Sequence, residues 1–334
     1  MKKIAIAVMG VIAAGTTLAA PDWSKVPAKK VPVFFPGPAG LEWVLTKADH
    51  SAANQILDKN RPCTKCHDED AVDIGAKMAA GKPVGNAKAP LEANPPKGKA
   101  GSVPVSVQAA SDGKKIYFRF EWDAPKPGGD KKADAKNEMK LTMMFDDNKV
   151  EGANLNGCWS TCHMDLRSMP DAADAAKGHA KAKALGWSDG VTKYIKESRS
   201  GLEMKAKPRG GWDKLKSDAD IESALKDGKF MDLMQYRSGD KKAVDGYVLD
   251  ARYMEGGKSL VKAEGKKTGN KWVVTFEREL AAKGKGDHTI AEGKLYNMGF
   301  AIHEDFSNAR FHHVSLGYTF GLDNAKADFN AAKQ

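Results

Sequence analysis

The sequence predicts a mainly β protein: an antiparallel β-sandwich interrupted by a helical insertion and preceded by a small helical segment. Three observations carry this. From residue 101 onward, apolar side chains recur with a period of two, as in Ile116, Phe118, Phe120 and Trp122 against Tyr117, Arg119 and Glu121. Several such runs follow one another, which is the pattern of a sandwich rather than of a helical bundle. Between about 170 and 238 the text changes to alanine, lysine and aspartate without that alternation.

Val103, Val105 and Val107 alternate up to Asp112-Gly113, a tight-turn pair, and the Ile116–Trp122 run then returns, so the two form a hairpin. Further strands are expected at Leu141–Phe145, Tyr247–Tyr253, Trp272–Arg278, Tyr296–His303 and Phe311–Leu322. Within the insertion, Ser217-Asp218-Ala219-Asp220 has the form of a helix cap, and Gly228 can end that helix. Residues 326–334 are read as a C-terminal tail.

Ahead of the sandwich, Lys2 and Lys3 precede an apolar run from Ile4 to Leu18, and Thr17-Leu18-Ala19 supplies the small residues a signal peptidase reads. Residues 1–19 are therefore read as a Sec signal peptide, and the periplasm as the destination. No later stretch is apolar enough over ~18 residues to suggest a membrane span after cleavage. Residues 21–40 are Pro-rich and read as extended, and a second Pro-rich stretch at 81–102 marks a boundary near 100. The segment 20–100 is thus separated from a sandwich at 101–325. Of the 334 residues, 53 are Lys or Arg and 43 Asp or Glu, and the formal charge of +10 is spread along the chain. No basic block announces a nucleic-acid partner.

The chain has four cysteines, in two pairs, each followed at once by one of its eight histidines. Cys63-Thr64-Lys65-Cys66-His67 is the C-x-x-C-H signature of c-type haem attachment. Two thiols add across the porphyrin vinyl groups, and the adjacent His67 becomes the proximal iron ligand. A zinc site would want a matching second pair, and a thioredoxin-like pair a βαβ setting; the sequence offers neither. Cys158-Trp159-Ser160-Thr161-Cys162-His163 has three residues between its thiols. A disulfide is the alternative there, but His163 stands where a proximal ligand belongs, and a second c-type haem is expected.

For the sixth iron position, His50 is the one histidine before Cys63 and is assigned to the first haem, with Met78 as the competitor. Near the C-terminus, Val314, Leu316, Tyr318, Phe320 and Leu322 alternate with small or polar residues, which puts His312 on the buried face and His313 on the other. His312 is assigned to the second haem, with His313 and His303 as substitutes. His179 and His288 stand in polar surroundings and receive no role.

Val103–Trp122, Trp272–Leu280 (WVVTFEREL), Gly293–His303 (GKLYNMGFAIH) and the run His312-His313-Val314-Ser315 resemble the haem-binding domain of ethylbenzene dehydrogenase-related proteins, a family also described as cytochrome c-552/DMSO reductase-like. The resemblance spans roughly residues 100–325 and implies an immunoglobulin-like sandwich. In molybdoenzyme gamma subunits of that family a b-type haem has methionine and lysine ligands. Here His163 falls in the region of that methionine and His312 at that lysine. The chain resembles more closely the diheme c-type branch, whose N-terminal extension adds a C-x-x-C-H haem.

These readings together imply an exported electron carrier with two covalent haems, both bis-His ligated, and no catalytic residues. Its partners would be redox proteins, either a quinol-side cytochrome or a molybdenum oxidoreductase. The alternative is the electron-transfer gamma-like subunit of a molybdenum oxidoreductase complex, followed by a haem sensor or peroxidase with one five-coordinate iron.

Overall fold

The computed structural model describes residues 21–37, 61–67, 69–85, 89–92, 94–127, 133–150, 152–157, 194–198, 215–308 and 311–334. Thirteen strands form one sheet: β1 (Lys29–Phe34), β2 (Ser102–Ser111), β3 (Lys115–Asp123), β4 (Lys140–Asp146), β5 (Met231–Arg237), β6 (Lys242–Val248), β7 (Arg252–Tyr253), β8 (Lys262–Thr268), β9 (Lys271–Glu279), β10 (Tyr296–His303), β11 (His313–Val314), β12 (Tyr318–Leu322) and β13 (Phe329–Lys333). Among the described residues four α-helices join them: α1 (Thr64–His67), α2 (Ala71–Ala79), α3 (Ala153–Asn156) and α4 (Asp218–Lys226).

The strand order is β7-β6-β5-β4-β10-β11-β1-β2-β3-β9-β8, with β12 and β13 bridging β10 to β2. The half from β1 to β8 faces the half from β7 to β10, and the short β11 links them. Between the halves lies the main core. Phe120 meets Phe300 with ring centroids 5.1 Å apart, while Phe118 and Phe145 each meet Phe320 at 5.2 Å, all edge-on as aromatic quadrupoles prefer. Each of these fully buried rings contributes about 1.5–3 kcal/mol by leaving water. The mainly β sandwich is as the sequence predicts, with one departure: β13 runs parallel to both β12 and β2, so the pairing is not antiparallel throughout.

Every predicted strand exists, and the hairpin turns at Gly113, whose φ of 84° suits glycine. The Tyr247–Tyr253 run meets only the last two residues of β6, which begins at Lys242, and the two of β7, while the Phe311–Leu322 run holds β11 and β12. Four further strands lie where none was expected; one is β8, which pairs antiparallel with β9 from Lys262↔Glu277 to Thr268↔Lys271. β1, from the Pro-rich stretch of the N-terminal segment, pairs antiparallel with β2 from Lys29↔Val107 to Phe34↔Ser102. β5 occupies the end of the stretch read as a helical insertion, and β13 most of the stretch read as a tail. Of that insertion, the described residues include α4, whose N-cap Ser217 accepts from the Asp220 amide at 3.2 Å and which stops before Gly228 at φ 77°.

A second hydrophobic cluster covers the outer face of the sheet, where Phe34, Met144, Ala301, Val314 and Leu316 pack with Ala71, Ile74 and Met78 of α2 and Ala153 of α3. Strand parity separates the two clusters: Met298, Phe300 and Ile302 of β10 point into the sandwich, and Ala301 points out. The outer face at β10 and β11 is therefore the floor on which the N-terminal helices rest. Residues 1–20, including the expected signal peptide, lie outside the described residues. Among the described residues no helix is long and apolar enough to cross a membrane.

Candidate haem site

The first cysteine motif folds as one helical turn. Cys63 precedes α1, and Cys66 and His67 end it, so the two thiols stand one turn apart with the imidazole next in sequence. Both cysteines are free thiols. Cys63 turns its sulfur inward, and burial pushes that thiol up to about 12, while Cys66 is exposed. His67 is half-buried, and its Nδ1 lies 2.9 and 3.1 Å from the two carboxylate oxygens of Asp70. An anionic acceptor makes Nδ1 the protonated nitrogen and leaves the Nε2 lone pair for a metal. The thiols and the imidazole therefore fit c-type haem attachment. Asp70 was not singled out in the sequence, although a carboxylate three residues past a histidine is within reach of its ring.

The approach to the second motif is tied to the first. The Cys63 amide donates to the Leu155 carbonyl at 2.7 Å, and Leu155 belongs to α3. Helix α3 ends at Gly157, with φ 63° and ψ −146°, a conformation open to glycine alone. A side chain there would also meet the Gly299 Cα at 3.1 Å and the Gly317 Cα at 3.2 Å, so three glycines let the chain touch the sheet just before Cys158. Cys158, Cys162 and His163 lie outside the described residues, as do His50 and His179.

The other end of β10 gathers the C-terminal histidines. β10 and β11 pair Ala301↔Val314 and Ile302↔His313, which brings His303 and His312 together. Their rings stack 4.8 Å apart at 10°. His312 shares the outer face with Val314 and Leu316, the face that carries α2 and α3. The predicted grouping of His312 with these two residues holds, but Tyr318, Phe320 and Leu322 pack into the sandwich instead. The chain bends between β11 and β12, so alternation does not run through.

His313 is also buried, at 1% exposure, contrary to its expected place on an open face. Its Nε2 lies 2.8 Å from the Ala100 carbonyl oxygen; since a carbonyl can only accept, Nε2 carries the proton and donates. Burial, with Lys99 adding to it, pushes His313 down to about 3. Nδ1 faces Glu304 at 3.8 Å, and burial raises that carboxyl to about 8 although the Trp122 indole N–H donates to it at 2.8 Å. At neutral pH the pair is therefore uncharged, with His313 Nδ1 and Glu304 Oε2 facing each other without a hydrogen bond. Glu304 was missed because nothing in the sequence marks a buried acid.

Met78 is fully buried in α2, with its sulfur 3.3 Å from where a side chain on Gly37 would begin. His288 is buried as well, at 6% exposure, correcting its expected polar setting. Its ring stacks on Phe230 at 4.0 Å and 1°, and Nε2 donates to the Phe230 carbonyl at 3.0 Å.

A mostly β protein that carries a C-x-x-C-H turn and a pair of adjacent buried histidines, His312 and His313, is of the haem-binding class. The family model described as "Ethylbenzene dehydrogenase" matches residues 20–315, and the chain belongs to that family. It is 42% identical to cytochrome c-552 of Stutzerimonas stutzeri over the full length of both chains. It is 33% identical to cytochrome c-551 of Rhodocyclus tenuis, over 94% of this chain and 100% of that one. Among solved structures it is similar to a family 9 carbohydrate-binding module from Caldicellulosiruptor kristjanssonii, at 8% identity and a TM-score of 0.28 over 64% of this chain and 66% of that one. A putative carbohydrate-binding protein from Bacteroides uniformis ATCC 8492 gives the same score and identity over 68% and 73%. Likeness at that level bears on neither fold nor function.

Proposed function

We propose that this chain is a periplasmic diheme c-type cytochrome that carries electrons between redox partner proteins, with both irons bis-His ligated. The observation that carries the reading is the first motif, in which free Cys63 and Cys66 flank a turn and Asp70 holds His67 by Nδ1. The names of the two relatives, cytochromes c-552 and c-551, support it.

A bound haem supplies one-electron exchange between ferric and ferrous iron. The chain's own residues fix where that happens. Cys63 and Cys66 anchor the first haem, His67 and His50 hold its iron, and the apolar cluster around α2 keeps water from one side of it. Cys158, Cys162 and His163, with His312 as the distal ligand, serve the second. Four imidazoles on two irons leave no position for a substrate, which makes the protein a carrier rather than an enzyme. The hydrogen bond from the Cys63 amide to the carbonyl of Leu155, three residues before Cys158 in sequence, supports a reading in which the two attachment sites are neighbours.

Pyridine hemochrome quantitation, intact mass and absorption spectra test this. Two haems per chain, low-spin in both oxidation states, are expected. One haem, or a high-spin ferrous form that binds added ligands, overturns the reading. The family's name favours a second reading, an electron-transfer gamma-like subunit of a molybdenum oxidoreductase. Co-purification with a large catalytic chain would support that subunit, and elution alone the carrier.

A further inference from the structure

Away from the histidines, where β5, β6 and β9 meet the loops at 254–261 and 281–289, three aspartates surround one arginine. Arg278, at 1% exposure, donates to Asp232 Oδ2 at 2.7 Å, to Ser259 Oγ at 2.8 Å and to the His288 carbonyl at 2.9 Å. The His288 amide donates to the same Asp232 oxygen at 2.8 Å. Asp287 Oδ2 accepts from the amides of Lys258 at 2.9 Å and Lys283 at 3.3 Å. Asp245 accepts from the amides of Ser259 and Val261.

Each carboxylate thus uses one oxygen. The other, Oδ1 of Asp232, Asp245 and Asp287, is buried with no donor among the described residues. Asp232 is fully buried and Asp287 is 7% exposed. Three ionised carboxylates against one guanidinium leave two negative charges in excess, away from water, where uncompensated charge is costly. Burial and mutual repulsion push Asp232 up to about 7 and Asp245 to about 6, which expresses the same shortage of positive charge.

The free oxygens of Asp245 and Asp287 converge on Gly257. A side chain there would begin 2.0 Å from Asp245 Oδ1 and 2.7 Å from Asp287 Oδ1, so the two oxygens are at most 4.7 Å apart. Two calcium–oxygen contacts of about 2.3–2.6 Å span that separation. Gly257 does not have a left-handed φ, so it is the space, not the backbone angle, that calls for glycine.

We infer that Asp245 and Asp287, meeting over Gly257, form a binding site for a calcium ion. No three His, Cys, Asp or Glu side chains converge on one point among the described residues, so the remaining ligands of a six- to eight-coordinate ion would have to be backbone carbonyls and water. A site with two carboxylate oxygens and no dedicated loop belongs to the weak class of exported modules, with a dissociation constant on the order of 0.1–1 mM. The inference is independent of the haem assignment.

Equilibrium dialysis of the chelator-stripped holoprotein against radiolabelled calcium tests it. One calcium per chain is expected, with binding at least tenfold weaker in both D245N and D287N when their haem spectra match the wild type. Failure of the wild type to bind at several times that constant overturns the site, as does binding that both variants retain. Crystals of the wild type grown with calcium decide without any variant. An anomalous peak between Asp245 and Asp287 supports the site, and no peak there overturns it.

Discussion

The two faces of the chain where it enters β11 receive opposite treatment in His312 and His313. His313 is spent on the Ala100 carbonyl and backed by a neutral Glu304, so its work is to hold β11 against residues 99–101. His312 stacks on His303 over the outer face. On the proposed bis-His ligation of two haems, H312A is expected to turn one haem high-spin, visible as a charge-transfer band, with the other unchanged. H313A should leave haem ligation low-spin and instead lower the unfolding free energy by about 1–3 kcal/mol, because the Ala100 carbonyl loses its donor. Asp70 acts through His67. An anionic acceptor on Nδ1 raises the donor strength of Nε2 and favours ferric iron. D70A should raise one of the two reduction potentials by tens of millivolts in a potentiometric titration, with haem content unchanged.

Elements of this fold were legible where one face is buried and the other wet. β3 and β9 alternate cleanly and are placed within a residue, because they lie inside one half of the sandwich with an exposed outer side. β5 was hidden for the opposite reason. Six of its seven residues are buried, so Met231–Tyr236 carries no alternation, and lysine-rich neighbours drew the reading toward helix. β1 contains Pro32, which argues against a strand between two partners, yet β1 pairs with both β2 and β11. The attachment turn was legible because its chemistry demands a fixed spacing. Glu304 and the three-glycine contact were not, since they exist only once β10 and β11 have paired. That contact gives an element-scale prediction. G157A adds a methyl at a glycine-only backbone angle and within 3.1–3.2 Å of Gly299, Gly317 and the Leu316 carbonyl. Denaturant unfolding should show a loss of about 2 kcal/mol, and the variant should accumulate chains with a single haem.

At the scale of the whole molecule, stability must respond to pH through the groups that folding has buried in one protonation state. His288 is the clearest such group away from the haem-facing residues. Phe230 covers one face of its ring and takes its Nε2 proton, and burial pushes it down to about 4 from its ordinary 6.5. The unfolded chain accepts a proton there below pH 6.5, whereas the folded chain resists it until about pH 4. Between those values the unfolded state binds more protons, so unfolding free energy rises with pH across that window. Stability from this group is thus complete above 6.5 and is lost as pH falls toward 4. The full span corresponds to about 3 kcal/mol. Urea titrations of the holoprotein at a series of pH values should show this decline. In H288Q the amide can still donate to the Phe230 carbonyl but cannot titrate, so the variant should lose the slope assigned to His288 while other groups keep theirs. A decline of equal size in H288Q and the wild type would place the acid sensitivity elsewhere in the sandwich.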